Sequence, residues 1–373
     1  MLFGALSGIR VLDLSQYVPG PYATLMLADF GADVLKIESP GGDPMRGFAP
    51  LDEDGVSLIY KAFNRSKKTV TLDLKSDQEK AAFEKLVARA DILLESFRPD
   101  VMARLGFSRA RIAEMNPRLL HCALTGYGQE GPMKDTPGHD LSYMALMGGF
   151  ASSGTQATPV PIFPPVADHA SAMHAVIVLL AALLDRAKTG KGCFLDVSIA
   201  ESVLPWQRMA LAITEATGED VARAGYLLNG GAACYQVYET KDHAFVTLAA
   251  MEEKFWKNFC EAVERPDWIA RQFEPTPQRT LIEALREAFA SATLAEWEER
   301  LRLADCCFQA VTPLSALARH PQLRARGFLQ EAEQDGRAFT EILSPVLADD
   351  RGPEARTAWQ ETDVEAALRV WKL

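Results

Sequence analysis

Along the first half of the chain, short apolar runs alternate with stretches whose apolar residues recur at helical spacing. Gly8-Ile-Arg-Val-Leu-Asp-Leu14 reads as a strand, Pro19-Gly20-Pro21 as a turn, and Tyr22 to Phe30 as a helix closed by Gly31. Ala32 to Glu38 is the next strand, so the opening is a βαβ unit with short connections. Val70 to Leu74, Asp91 to Glu95 and Leu119 to Leu124 repeat the strand pattern. Before the second of these, Ser76 is expected to cap a helix through Ala90, with Glu79 completing a capping box. Such alternation predicts a mostly parallel, doubly wound α/β sheet with helices on both faces.

After Leu124 a turn-rich segment, Thr125 to Pro137, leads into a helical pattern over Asp140 to Met147. The connector Pro159-Val-Pro-Ile-Phe-Pro-Pro165 cannot be regular structure. An apolar helix near Ala170 to Lys188 follows, then a strand-like run from Cys193 to Ile199, then a helix over Ala200 to Thr217 bent at Pro205. From Asn229-Gly230-Gly231 the character changes to short alternating strands, Tyr235–Thr240 and Phe245–Ala249, and helices at Glu252–Val263, Thr280–Ser291 and Leu294–Ala304. The expected organisation is a large domain over 1–200, a linker helix over 201–229 and a smaller α+β domain over 230–312. Residues 313–373 are expected to be a linker and a return to the large domain, irregular apart from Leu314–Arg319 and a helical tail over Thr362–Trp371.

Composition narrows the possibilities. With 48% apolar and 24% charged residues the chain is an ordinary globular protein. A net charge of −11 argues against nucleic acid as a partner, since phosphate contacts need a basic face. It leaves room for an anionic small molecule in a local basic pocket. The most apolar window, Ala175 to Leu184, is about half of what a bilayer span needs, so a buried helix and no membrane partner are expected. The opening residues lack the basic flank of a signal peptide. Six cysteines show no metal-ligand spacing, so the expectation is a cytoplasmic, reduced protein without a metal site.

Candidate chemistry concentrates at the turn-rich segment, which delivers His139 and Asp140 to the mouth of a helix, where unpaired N–H groups favour developing negative charge. Gly126-Tyr-Gly128-Gln-Glu-Gly131 has the form of a dinucleotide fingerprint. Pro132 and Pro137 block the helix that such a motif must open, which rejects it. Thr189-Gly-Lys-Gly192 lacks the upstream glycine of a phosphate loop and reads as a helix stop. Taken singly, each candidate has a common structural reading: His139 a turn residue, Asp140 and Asp168 helix caps, Glu252 an acid favoured by a helix dipole.

The joint pattern says more. Gly8-Ile-Arg-Val-Leu-Asp-Leu with Pro19-Gly-Pro, Asp29-Phe-Gly-Ala-Asp-Val-Leu-Lys-Ile-Glu38, Asn64-Arg-Ser-Lys-Lys, Thr71-Leu-Asp-Leu-Lys75, Ser96-Phe-Arg-Pro99 with Arg104-Leu-Gly, and Thr125-Gly-Tyr-Gly-Gln-Glu-Gly-Pro132 together resemble the family III CoA-transferases. Within them, Gly138-His139-Asp140 with Tyr143, Asn229-Gly230-Gly231 and Met251-Glu252-Glu253 look most like the α-methylacyl-CoA racemase branch. The resemblance implies a Rossmann-like large domain, a smaller domain and two chains interlocked as a homodimer. It also implies acyl-CoA as substrate, with coenzyme A part of that substrate and no prosthetic group.

Carried onto this sequence, the resemblance makes His139 and Asp168 the two groups that exchange the α-proton, with Glu252 holding the His139 ring and Asp140 beside Asp168. It assigns coenzyme A to Leu72, Asp73, Lys75, Phe97, Arg98, Arg104 and Tyr143. The runner-up is a CoA-transferase in which Asp168 forms an anhydride and then an enzyme-bound thioester. Residue 39 is Ser where related racemases carry a basic residue for the CoA phosphates, which either weakens CoA binding or shifts that role to Arg46, Arg65 or Lys67. Residue 169 is His where the family most often has Gly or an aromatic residue.

Overall fold

The structure, a computed structural model, describes residues 2–334 and 337–371. The chain divides into two compact units, one built from the chain up to Met147, Phe163–Pro205 and the chain from Ala318 onward, the other from Gly148–Ile162 and Trp206–Leu317. In the first unit β1 (Arg10–Leu14), β2 (Asp33–Glu38), β3 (Lys67–Thr71), β4 (Ile92–Glu95), β5 (Leu120–Thr125) and β6 (Cys193–Ser198) pair in parallel in the order β3-β2-β1-β4-β5-β6. A two-residue strand, Gln360–Glu361, extends the β3 edge. The helices between them are α1 (Pro19–Asp29), α2 (Leu58–Asn64), α3 (Asp77–Val87), α4 (Val101–Arg104), α5 (Arg109–Met115), α6 (Asp140–Leu146) and α7 (Val166–Thr189). This is the expected mixed α/β fold with a doubly wound parallel sheet.

The strand order reverses between β1 and β4, so the loops leaving their carboxyl ends diverge and open a crevice, where sheets of this kind take ligands. The two loops are tied at their start, with the Gln16 N–H donating to Ser96 Oγ at 3.0 Å. One face of the sheet buries Leu12, Leu35, Val70 and Leu93 against Phe83, Leu86 and Phe107, and Trp371 joins this core from the C-terminal helix Val364–Val370. The other face is covered by α1 and α7, whose Ala167, Ala170, Ala172 and Ala175 are buried; their small side chains let the two helices lie close.

Charge is buried in the sheet as well. Asp13 on β1 is fully enclosed, 3.2 Å from Lys67 Nζ on β3, and accepts from the Thr24 hydroxyl at 2.5 Å and from Ser15. Lys36 on β2, also fully buried, donates to the Ser15 carbonyl at 2.6 Å and pairs with Asp43 at 3.1 Å. Burial alone raises the Asp13 carboxyl, but the Lys36 and Lys67 ammonium groups and the two hydroxyls outweigh it and hold it down at about 2.

Several elements depart from the pattern-based expectation. β3 runs over Lys67–Thr71 instead of Val70–Leu74, because Lys67 is buried in the strand through its polar partners Asp13 and Asn64. Ser76 makes no capping bond, and Glu79 accepts from the Asp73 N–H instead, so the capping box is absent. α7 begins at Val166, which puts Asp168 inside its first turn and makes Pro165 the N-cap. At 24 residues α7 is also long and apolar enough to cross a membrane by length and composition alone, unlike the shorter window read from sequence, yet Ala172, Ala175 and Leu179 are wholly enclosed in this unit. The antiparallel hairpin Leu329–Gln334 with Arg337–Ile342 was expected to be irregular chain; its faces are mostly polar and carry no apolar alternation.

The second unit holds α8 (Arg208–Thr217), an antiparallel sheet of β7 (Tyr235–Glu239), β8 (Phe245–Ala249) and β9 (Phe308–Ala310), and the helices α9 (Glu253–Ala262), α10 (Arg279–Phe289) and α11 (Leu294–Leu301). Its core stacks Trp256, Phe259, Phe289 and Trp297 on the sheet. Residues 148–162, placed in the large domain on pattern alone, belong here, since Asn229 donates to the Ser152 carbonyl at 2.9 Å and Arg223 to the Thr155 carbonyl at 3.2 Å.

Replacing Asp13 with Ala leaves Lys67 enclosed without its carboxylate partner, while Lys36 keeps Asp43. The expected loss is about 3–5 kcal/mol, the range for breaking a buried pair, read as a lowered urea midpoint. Adding Lys67→Met to that variant is expected to restore part of it.

Candidate active site

Four segments of the first unit meet above the crevice: the loop after β1, the loop after β4, the long loop from β5 into α6, and the first turn of α7. Tyr143 on α6 organises the long loop. Its ring lies edge-on to Tyr127 at 5.2 Å, and its hydroxyl donates to the Gly138 carbonyl at 2.7 Å. A Cβ at Gly126 would stand 2.7 Å from the Tyr143 oxygen, and one at Gly138 equally close to the ring, so both positions require glycine. Burial first, then Tyr127 and Asp168, push the Tyr143 phenol up to about 12, with Arg98 opposing. It stays a neutral donor. Tyr143 is thus a brace for the loop, with its hydroxyl already engaged.

The brace presents His139 as the N-cap residue of α6, with extended backbone and an exposed side chain. Asp140 follows at the first helical position, and it does not cap its own helix. Its Oδ1 accepts from the N–H of Ala167 at 2.6 Å and of Asp168 at 3.2 Å, satisfying two first-turn amides of α7 across 27 and 28 residues. The start of α6 is thereby bolted to the start of α7, and the structure brings Asp140 and Asp168 together, with His139 the residue before Asp140. Asp168 itself makes no side-chain hydrogen bond among the described residues. Burial, and after it the like charge of Asp140, push its carboxyl up to about 7 from an ordinary 3.8. A carboxyl so placed can both give and take a proton near neutrality.

The neighbours of this group were not legible in the sequence. Tyr17, after β1, lies edge-on to the His139 ring at 5.8 Å. His169 donates through Nδ1 to the Pro165 carbonyl at 2.6 Å and packs on Tyr22 at 5.1 Å, so its ring turns toward α1. Glu252 lies in the second unit, exposed at the N-cap of α9 and without a capping bond.

The residues assigned to coenzyme A divide into two groups. Lys75, Arg98 and Arg104 are exposed and have no ion-pair partner among the described residues, and Phe97 is held by its N–H donating to Glu95 at 2.7 Å. Leu72, by contrast, is enclosed in the sheet core, and Asp73 turns its carboxylate back onto the Lys75 N–H at 2.9 Å, so neither presents a free side chain. The basic residues expected to stand in for Ser39 are also committed. Arg46 pairs with Glu38 at 2.7 Å between the rings of Tyr60 and Trp359, Arg65 pairs with Glu341, and Lys67 is buried against Asp13. That substitution of roles is overturned.

Crevice and side chains together define an α/β fold with ionisable groups gathered at the carboxyl ends of the strands. Residues 6–358 match CoA-transferase family III, and the chain belongs to that family. It is 31% identical over 344 residues to an acetyl-CoA:oxalate CoA-transferase of Acetobacter aceti, covering 87% of this chain and 85% of that protein. It is also 31% identical over 340 residues to the alpha-methylacyl-CoA racemase of Homo sapiens, covering 89% and 84%. A crystal structure of a CAIB/BAIF family protein from Brucella suis superposes with a TM-score of 0.85 over 98% of both chains at 24% identity, a likeness of fold.

A carboxyl raised in the folded state keeps its proton where the unfolded chain has already released it. Its contribution to stability is full below the ordinary value of 3.8 and is lost as pH rises to about 7. Asp168→Asn is therefore expected to gain melting temperature over the wild type progressively between about pH 5 and 7 and by a constant amount above that. A gain identical at both ends contradicts this protonation.

Proposed function

We propose that this chain is an acyl-CoA racemase or epimerase that inverts the α-carbon of a 2-methyl-branched acyl-CoA by two-base proton transfer. The observation that carries this reading is the Asp140 bridge, which sets a carboxyl poised at about 7 beside a histidine at the mouth of the crevice. A thioester α-proton is weakly acidic, so inversion needs a base on one face of the carbon and an acid on the other. In one direction the His139 imidazole takes the proton and Asp168 delivers one to the opposite face; in the other the roles exchange. The enolate oxygen formed between the two steps is placed against the Asp140 N–H, which no described residue engages. Lys75, Arg98 and Arg104 are the cations available to the CoA phosphates, with Phe97 as an apolar wall.

The homodimer belongs to the same proposal. Met173, Ile177 and Leu184 form an exposed apolar stripe on α7, a helix whose alanine-rich face is buried, and a second chain would cover the stripe. His139 is exposed on the single chain, so a further wall is needed to exclude water during the proton transfers.

A second reading has its own support, since the likeness to the oxalate transferase equals that to the racemase. In that reading the Asp168 carboxylate attacks the donor thioester carbonyl and expels CoA thiolate. The thiolate then attacks the resulting anhydride at the Asp168 carbonyl, releasing the donor carboxylate and leaving an enzyme thioester.

With a 2-methylacyl-CoA in deuterated water, the wild type is expected to wash deuterium into the α-position. His139→Ala and Asp168→Asn should each slow this by about 10²–10⁴-fold. Hydroxylamine during turnover should leave Asp168 unmodified. Inactivation by hydroxylamine with no wash-in would replace the racemase with the transferase. Arg98→Ala is expected to raise KM for the thioester by about tenfold with kcat unchanged, the loss of one charged contact made equally in ground and transition states.

A further inference from the structure

His139 is an exposed imidazole whose ring makes no hydrogen bond to any described residue; its recorded ring contact is with Tyr17, at 5.8 Å and 81°. A histidine side chain turns readily about its terminal torsion, while proton transfer demands a fixed direction toward the carbon. Something must hold the ring. We propose that Tyr17 is the positioning residue for the His139 imidazole, a role that rests on the reading of His139 as a proton-transfer group.

Tyr17 sits in the left-handed region at φ 62°, a conformation that glycine takes freely and a bulky residue resists. Such a residue persists only where its surroundings over-determine it, and they do so here. Lys36, fully buried on β2, donates to the Ser15 carbonyl at 2.6 Å, and the Gln16 N–H donates to Ser96 at 3.0 Å. The Tyr17 N–H points to Asp43 Oδ1 at 3.5 Å, and the same oxygen accepts from the Met45 N–H at 2.9 Å while Asp43 pairs with Lys36. On the far side Gly20 approaches so closely that a Cβ there would lie 2.1 Å from Ser15. The turn alone would be served by glycine. A tyrosine instead sends a ring out between Phe48, 6.4 Å away, and His139. Phe48 lies just past the short segment that Asp43 caps, so one buried ion pair fixes both the backbone under Tyr17 and the approach to the ring behind it.

The contact needs an aromatic ring and does not need the phenol, since the Tyr17 hydroxyl makes no hydrogen bond to any described residue. Tyr17→Phe should therefore behave as the wild type, and Tyr17→Leu, similar in bulk and under the same backbone constraint, should not. With the full-length protein and a 2-methylacyl-CoA, Tyr17→Leu is expected to lower kcat for α-deuterium wash-in by about 10–100-fold, the scale of a small misplacement of a reacting group, with KM unchanged. The His139 ring resonance, assigned by its loss in His139→Ala, should move in Tyr17→Leu and stay in Tyr17→Phe.

A wild-type kcat in Tyr17→Leu, a change in KM alone, or a failure of Phe to preserve activity overturns the proposal. If His139→Ala itself retains wash-in, the reading of His139 falls separately. The resonance then still decides, and one that ignores the Leu substitution sinks the positioning role as well.

Discussion

One carboxylate accepting two helix-start N–H groups holds the site together. Asp140 stands at the first residue of α6 and satisfies amides of the first turn of α7, so neither helix can shift without breaking a charge-assisted bond. The same carboxylate is the like charge that, after burial, keeps the proton on Asp168. A single side chain therefore performs two tasks: it fixes where Asp168 stands and helps decide in which protonation state it waits. Both follow from its charge, and an amide in its place would retain an acceptor for the amides while losing the electrostatic effect on the neighbour.

This arrangement needs a firm base, and the sheet supplies one in an unusual way. The strands next to the crevice carry buried ions where apolar residues would pack, with Asp13, Lys36 and Lys67 enclosed on β1, β2 and β3. Buried pairs are weak sources of net stability but strong sources of specificity of arrangement, because a slip in register leaves an uncompensated charge. Here the ions reach past the strand ends to backbone carbonyls at Ser15 and Pro21 and so fix the loop and helix that border the crevice. The cost of enclosing them is spent on the direction of a loop.

What could be read from sequence follows from how far each interaction reaches. β1 and β2 were legible because local periodicity determines them, whereas Pro19-Gly20-Pro21, read as a turn before the helix, is the first turn of α1 itself. The parallel alternation followed, and with it the sheet class. β3 was displaced by three residues because a buried lysine looks like a surface lysine until its partner is known. Asp140 read as a cap for its own helix, since capping rules are local, whereas the helix it caps begins 26 residues later. Arg46, Arg65 and Lys67 read as free cations for the same reason; their counter-charges lie on Glu38, Glu341 and Asp13, distant in sequence or hidden in a strand. Family likeness supplied His139 and Asp168 as a pair, but Tyr17 beside them carried no motif.

The frame favours no single chemistry, and that has a physical reason. A nucleophilic carboxylate and a basic one ask for similar surroundings: partial burial, a neighbouring negative charge that increases basicity, and a helix start to fix direction. Asp168 has all three. What separates the two chemistries is the group on the other face of the reacting carbon. Transfer needs space there for a second carboxylic acid, whereas inversion needs a proton donor held in line. The loop ending at Gly138 presents the His139 imidazole at the start of α6, with Tyr143 bracing the turn and Tyr17 against the ring, and in the proposed racemase it is that donor. On the proposed reading, the balance between the two activities rests on that side chain and the aromatic residues that steady it, while the sheet serves either equally.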